Sequence, residues 1–324
     1  MRPLHCGALA AVLALAALAS VAWPLATYTL TLAAFGLAHV LGELRYVDLR
    51  FGGRLGRTLA WGMGTALAGI VLVRLLLAAG VLGRETALVL ELGAGLSLVA
   101  LVLPTLIRHR PGRGVVGLAV ASVLALMIVL DPAAGLLGLA VLHNLTPVGF
   151  ILEATEGAGR RRAAWACVIV FGVIPLAIAL GWCWSLVAPL GVAAPEASPL
   201  GYGPLQEAMR AYLPVEHLVP VTALHLFAAC VFLQCAHYVA VLLVLPRLLP
   251  RGAVGLLRWP APRWWPWLLF ATTLALVPFA IDFPGARRGY GVLAAVHAWV
   301  ELPLLLLALR GRSVGTDHDR RHSP

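Results

Sequence analysis

Residues 25–42 read LATYTLTLAAFGLAHVLG, an apolar run in which His39 is the only histidine and no Asp, Glu, Lys or Arg occurs. A helix that crosses the hydrocarbon core of a membrane needs about 20 predominantly apolar residues. Glu43 follows at once, four residues after His39, so both side chains lie on one face of such a helix. The stretch therefore predicts a membrane-spanning helix that carries a histidine–glutamate pair.

Apolar runs of this kind recur along the whole chain, which is 61% hydrophobic and only 12% charged, with a mean hydropathy of +0.93. A soluble domain carries about 25% charged residues. The sequence therefore predicts an all-α, polytopic transmembrane bundle of about ten helices (eight to ten). We expect one integral membrane domain over 1–310 and a disordered cytoplasmic tail over 311–324. The predicted spans are 7–23 (an uncleaved helix, with a signal peptide as the alternative), 25–42, 58–79, 86–106, 114–130, 132–152, 164–189, 218–246, 265–282 and 290–309.

Arginine supplies all of the basic charge, because this chain of net charge +10 contains no lysine. The arginines concentrate in every second connection between the predicted spans, and by the positive-inside rule both termini are then cytoplasmic. Arg287 and Arg288 lie on the opposite side of this pattern. We expect a bacterial inner-membrane protein without a nucleic-acid partner. The absence of lysine excludes a retinal Schiff base and a P-loop.

Histidines inside the predicted spans are the candidate ligands of a metal ion. His297 and Glu301 repeat the four-residue spacing of the first pair. Ionisable groups within a membrane are functional candidates by default, and imidazole with carboxylate is a ligand set of non-haem iron. The predicted metal ligands are His39, His143, His237 and His297. His225 precedes His237 by twelve residues, roughly 18 Å of helix, and is assigned to an outer shell or a second site.

Polar neighbours of these histidines are expected to support them. Asn144, the only asparagine of the chain, adjoins His143, and Pro147 frees the His143 carbonyl from its helical hydrogen bond. Gln234 and Tyr238 flank His237 on its helix. Elsewhere, Arg74 and Glu91 on adjacent spans are expected to pair as a structural contact.

The spread of His39 with Glu43, His143, His237, and His297 with Glu301 resembles the Brp/Blh family of membrane proteins, which cleave β-carotene to retinal. The chain differs in having Ala38-His39-Val40 where that family has Pro-His-Gly, and Val241 one turn after His237. The resemblance implies an all-helical enzyme with histidine-bound non-haem iron(II). It also implies O₂ and a lipophilic, carotenoid-like substrate that enters from membrane lipid.

On this interpretation Glu43 and Glu301 are the catalytic candidates, either as ligands or as acceptors of an imidazole N–H. Copper is an alternative metal. Two other functions use the same residues. A bis-histidine haem b protein would carry electrons, and a transporter or proton-coupled permease would line its pathway with these side chains. The oligomeric state stays open.

Overall fold

The computed structural model describes residues 3–109, 111–210, 212–213, 218–250, 252–259 and 264–308. Within these ranges the regular structure is helical and contains no strand, which confirms the predicted all-α class. The predicted tail, 311–324, lies outside the described residues. The α-helices are α1 (Pro3–Ala22), α2 (Pro24–Phe51), α3 (Arg57–Ala78), α4 (Arg84–His109), α5 (Pro111–Leu130), α6 (Pro132–His143), α7 (Thr146–Ala154), α8 (Gly157–Val168), α9 (Ile174–Ala179), α10 (Trp182–Val187), α11 (Leu205–Met209), α12 (Pro220–Val239), α13 (Trp264–Ile281) and α14 (Phe283–Ala308).

Seven helical segments in the described part of the chain are long and apolar enough to cross a membrane. Some join consecutive helices: α6 with α7, α8 with α9 through a π-helical turn, and α12 with the turns that follow it. Three shorter apolar helices accompany them, and each predicted apolar run overlaps one of these ten segments. The seven are Pro24–Phe51, Arg57–Ala78, Arg84–Arg108, Pro132–Ala154, Gly157–Ala179, Pro220–Leu248 and Phe283–Ala308, and the shorter three are Cys6–Ala22, Gly114–Leu130 and Trp265–Ile281.

Several predicted helix boundaries were wrong, and two of them concern the helices that carry the histidine–glutamate pairs. Helix α2 continues past residue 42 to Phe51, so Glu43 lies inside the helix and not at its end. Helix α14 begins at Phe283, seven residues before the predicted start. Asp282 explains the early start, because its Oδ1 accepts a hydrogen bond from the Gly285 N–H at 3.0 Å and so satisfies an otherwise unpaired donor of the first turn.

The predicted span 164–189 is broken near its end. Gly181 has φ +79°, a left-handed conformation that favours glycine, and it separates α9 from α10. A Cβ at Gly181 would also lie 2.7 Å from Cε1 of His225 on α12. This glycine therefore allows both the turn and the close approach of the histidine ring.

Helices α2 and α12 lie at the centre of the bundle. In their most apolar stretches 56% and 78% of the residues are buried, against 11–39% in the other candidate spans. Helix α14 contacts α2, α3 and α4, and α7 packs against α14. The four helical segments that carry the predicted histidine ligands therefore meet in the interior.

The predicted pair of Arg74 and Glu91 is confirmed, and it ties three helices together. Arg74 donates from Nε and Nη2 to the two carboxylate oxygens of Glu91 at 2.9 and 2.7 Å. The Trp299 indole N–H of α14 donates to the same carboxylate at 3.0 Å. Gly95 makes room for that indole, since a Cβ there would overlap the ring.

The connection between α10 and α12 folds back over one end of the bundle. Its Tyr202 and Tyr212 make edge-to-face contacts with Tyr28 of α2, with ring centroids 5.8 and 5.9 Å apart. Phe227 and Phe283 complete this aromatic cap around Tyr28. The Tyr212 hydroxyl donates to Gln234 Oε1 at 2.5 Å.

Candidate metal centre

The four predicted histidine ligands converge in the middle of the bundle, from α2, α6, α12 and α14. One nitrogen of each of His39, His143, His237 and His297 can be chosen so that all four lie within 4.8 Å of one another. The His297 Nε2 is 3.2 Å from the His39 Nε2 and 3.0 Å from the His143 Nε2. Adjacent nitrogens bound at about 2.1 Å to one ion have a similar separation.

Helix geometry orients the His39 ring towards this centre. The His39 Nδ1–H donates to the Phe35 carbonyl at 3.2 Å, one turn earlier in α2. In the neutral imidazole the lone pair then belongs to Nε2, which faces the other histidines. Tyr238 of α12 stacks on the same ring with centroids 4.2 Å apart and an interplanar angle of 30°.

His143 lies where the sixth predicted span breaks. Helix α6 ends at His143 and α7 starts at Thr146, with Pro147 in its first turn. The His143 carbonyl, which Pro147 leaves without its helical donor, lies 2.7 Å from the Thr146 hydroxyl. Asn144 caps α6 and donates from Nδ2 to the Ala140 carbonyl at 3.1 Å. The break therefore holds the His143 ring at mid-span.

Two glutamates complete the centre, and both are fully buried. The Glu301 Oε2 is 2.8 Å from His143 Nδ1 and 2.6 Å from the Thr146 hydroxyl. The Glu43 Oε2 is 3.2 Å from His237 Nε2. Glu43 and Glu301 also form, with His143 and His297, a second group whose donor atoms all lie within 4.8 Å of one another. We call these four histidines and two glutamates the His–Glu cluster.

The donor atoms of the His–Glu cluster fit a bound cation. Seven buried atoms in it make no hydrogen bond of normal geometry among the described residues, although Glu43 Oε2, His143 Nδ1 and His237 Nε2 take part in the short histidine–carboxylate contacts given above; the other four are Glu43 Oε1, His237 Nδ1, His297 Nδ1 and Glu301 Oε1. Buried polar atoms are almost always paired, and an ion is one of the usual reasons for a set that is not. Buried imidazole and carboxylate groups of this kind could hold a metal ion.

The remaining predicted site residues lie at different distances from the centre. Tyr238 contacts a cluster histidine, whereas Gln234 is part of a hydrogen-bond chain with Tyr212 and with Thr31, whose Oγ1 accepts from its Nε2 at 3.2 Å. The structure does not bring His225 into the cluster. Its ring lies against Gly181 and 5.9 Å from the Trp184 ring.

Thr146 was not among the predicted site residues, yet its hydroxyl contacts both the His143 carbonyl and Glu301. A signal was present, because a hydroxyl residue directly before Pro147 can serve the carbonyl that the proline frees. The π-helical turn Ala240–Val244 was also missed. It begins three residues after His237, and π-turns within helices are frequent at functional sites.

A cavity of about 1550 Å³ reaches the His–Glu cluster. His39, His143 and His297 line it, together with apolar side chains of α4, α5 and α6, and it extends to Arg287 and Tyr202. Burial raises the pKa of the Tyr202 phenol, and the charge of Arg287 only partly opposes this effect. Tyr202 is therefore a neutral phenol at physiological pH.

Arg287 is half-buried in this cavity wall. Its Nη1 donates to the Tyr202 hydroxyl at 3.0 Å, and its guanidinium carbon lies 5.9 and 5.7 Å from the ring centroids of Tyr28 and Tyr202. A cluster that could hold a metal thus shares one cavity with an arginine at the end of the bundle. No protein-family model matches the chain, and neither a curated protein nor a solved structure matches it.

Proposed function

We propose that the protein is a membrane-bound, iron(II)-dependent oxygenase that acts with O₂ on a lipophilic, carotenoid-like substrate. The observation that carries the proposal is the convergence of four imidazoles and two carboxylates in the bundle interior, beside a cavity large enough for a long apolar molecule. Pockets for drug-sized ligands measure about 300–1,000 Å³. The resemblance to the Brp/Blh family supports the class of substrate.

The charges of the cluster favour a metal ion. Glu43 and Glu301 are fully buried, and no arginine of the described residues lies within ion-pairing distance of either carboxylate. The chain has no lysine that could serve instead. A buried carboxylate without a cation is costly, and neutral imidazoles supply no positive charge. A divalent ion would balance both carboxylates and would bind the imidazole Nε2 atoms of His39, His143 and His297 that face one another.

The side chains have distinct proposed tasks around the ion. His39, His143, His237 and His297 would hold it, and the contact of Glu301 with His143 Nδ1 would fix the tautomer of that ring. Tyr238 would hold the His39 ring by stacking. Bound iron(II) would supply open coordination positions for O₂. The apolar cavity wall would keep water away from the substrate.

The same convergence argues against a haem. A bis-histidine haem needs two facing imidazoles with a porphyrin between them. Here the Nε2 atom of His297 lies within 3.2 Å of two other imidazole nitrogens, and the third and fourth rings stand where a macrocycle would extend. A transporter remains the competing proposal, since a cavity lined by ionisable side chains serves it equally well.

For the topology we propose that all ten apolar helical segments cross the membrane and that both termini are cytoplasmic, in a bacterial inner membrane. The arginine-rich connections support this orientation. It places the aromatic cap and Arg287 at the outer surface, because they lie at the opposite end of α2 and α14 from the predicted cytoplasmic loops.

Metal content and the visible spectrum of the purified full-length protein test the proposed function. We expect about one iron per chain and no Soret band. His143→Ala and His237→Ala should each lower bound iron at least about tenfold, because each removes a ligand. His225→Ala is the matched control, since His225 is on the same helix as His237 and outside the cluster, and it should keep the iron.

Activity is measured with β-carotene under ¹⁸O₂, with separation of the products. Cleavage at the central double bond forms two aldehydes, each with one oxygen atom of O₂, and requires no added reductant. Formation of retinal labelled in this way by the wild type supports the proposal, provided that His143→Ala loses both the iron and the labelled product. A chain that binds no iron after anaerobic reconstitution overturns it in favour of a transporter, and a Soret band would make the protein a cytochrome.

A further inference from the structure

Arg287 differs from Arg50 and Arg74, two arginines of the bundle that are paired with glutamates, Arg50 with Glu153 at 2.8 Å and Arg74 with Glu91. The Arg74 guanidinium is neutralised by both oxygens of Glu91. Around Arg287 no carboxylate of the described residues lies within ion-pairing distance; its contacts are with the Tyr202 hydroxyl and the rings of Tyr28 and Tyr202, and Glu207 lines the same cavity. A half-buried arginine fork without a carboxylate is a ready site for an anionic oxygen group.

The position of Arg287 and Arg288 is unusual for a membrane protein of this orientation. Both fall on the side that the positive-inside rule leaves poor in arginine. Both line the cavity that reaches the His–Glu cluster, and Arg288 likewise has no ion pair among the described residues. Binding of an anionic ligand in the cavity would account for two adjacent arginines on this side of the membrane.

The distance between the arginines and the His–Glu cluster sets the length of a ligand that reaches both. Arg287 precedes His297 by ten residues of one helix, roughly 15 Å at 1.5 Å per residue. Between them the cavity wall is mostly apolar, with residues such as Leu136, Leu139 and Ala295. An extended hydrocarbon chain of about a dozen carbon–carbon bonds covers that distance.

We propose that the cavity binds an amphiphile whose anionic oxygen group, a carboxylate or a phosphate, pairs with Arg287 and Arg288 while its apolar chain reaches the His–Glu cluster. This inference rests on the proposed function for the statement that the bound molecule is the substrate, and it narrows that substrate to an acidic amphiphile, because neutral β-carotene has no group that could pair with the arginines. The anion site itself depends only on the cavity and the arginines. An anchored end would place carbons about a dozen bonds from the anionic group beside the metal ligands.

Equilibrium binding of radiolabelled hexadecanoate and of hexadecanol to the full-length protein in neutral detergent tests the anion site. The two probes share a chain and differ in charge. We expect hexadecanoate to bind about tenfold or more tightly than hexadecanol, and Arg287→Gln to abolish the difference. Arg287→Lys should keep part of it. Arg57→Gln, which removes an exposed arginine outside the cavity, is the matched control and should behave like the wild type.

Competition identifies the source of the anionic group. Displacement by phosphatidylglycerol points to a bilayer phospholipid, and displacement by soluble fatty acids alone points to a lipophilic acid; either supports an anionic amphiphile. Equal affinity for hexadecanoate and hexadecanol overturns the proposal, as does displacement by inorganic phosphate at the same concentration as hexadecanoate. If Arg287→Gln does not fold, Arg288→Gln takes its place. The proposal is then supported if Arg288→Gln loses the preference for hexadecanoate over hexadecanol while Arg57→Gln retains it, and it is overturned if both variants retain it.

Each binding measurement is repeated after removal of metal by a chelator, because a carboxylate could also bind the ion. A preference that needs Arg287 and persists without metal establishes the anion site even when no iron binds, and only the proposed oxygenase then fails. If the protein binds iron but shows no preference for hexadecanoate over hexadecanol, the proposed anion site is wrong and the proposed oxygenase is not affected.

Discussion

At the scale of single residues, Thr146 joins the backbone break of α6 and α7 to the His–Glu cluster. Thr146→Val keeps the shape of the side chain but removes the hydroxyl that lies 2.7 Å from the His143 carbonyl and 2.6 Å from Glu301 Oε2 and whose single proton is donated to one of them. We expect a stability loss of about 1–3 kcal/mol, the cost of an unpaired buried acceptor. Metal affinity should fall about 10–100-fold, as for other lost supports of a ligand. Thermal unfolding and chelator competition measure the two effects.

Thr146→Ser is the control for this prediction, because it keeps the hydroxyl and loses one methyl group. It should retain metal like the wild type. Wild-type metal affinity in Thr146→Val would show that Glu301 is held by other contacts.

Residue spacing placed the candidate residues on helix faces but did not predict which of them would contact each other. The four-residue spacing of His39 and Glu43 suggests that both act at one site, yet in the structure His39 contacts His297, 258 residues later, and Glu43 contacts His237. A local period fixes which face of a helix is polar and carries no information on which other helix meets that face. Spacing within one helix does separate His225 from His237, because twelve residues put the two rings roughly 18 Å apart along α12.

At the scale of helices, two glycines in the left-handed conformation, Gly80 and Gly181, follow the ends of helices. We expect their substitution by alanine to lower stability by different amounts. Gly181→Ala introduces strain at φ +79° and a Cβ 2.7 Å from the His225 ring. Gly80→Ala introduces similar strain at φ +72° into open space. We expect Gly80→Ala to cost about 1–2 kcal/mol and Gly181→Ala clearly more. Unfolding of both variants in the same detergent gives the difference.

A second-site change separates strain from contact in that comparison. Adding His225→Ala to Gly181→Ala should recover the excess cost, since it removes the ring that the new Cβ meets. Equal losses in the two glycine variants would contradict the proposed contact. The break itself was not predicted, because the apolar run 164–189 reads as continuous and a single glycine inside such a run is ambiguous.

At the scale of the whole molecule, the arginine pattern predicts the orientation in the membrane. A fluorescent protein fused after Pro324 should fluoresce, because it would fold in the cytoplasm. Alkaline phosphatase inserted after Gly191, in the connection before the aromatic cap, should be active, because it needs the disulfides that form outside. The opposite pair of results would reverse the topology, and the distribution of arginines would then need another cause.

The distance along the chain between His39 and His297 has a consequence for how the molecule is made. Synthesis proceeds at about 5–20 residues per second, so the 258 residues between His39 and His297 take roughly 13–50 s to synthesise. During that interval His39 and Glu43 are in the nascent membrane protein without the helix that completes their surroundings. A metal ion held by all four histidines would therefore be bound only after α14 has been inserted.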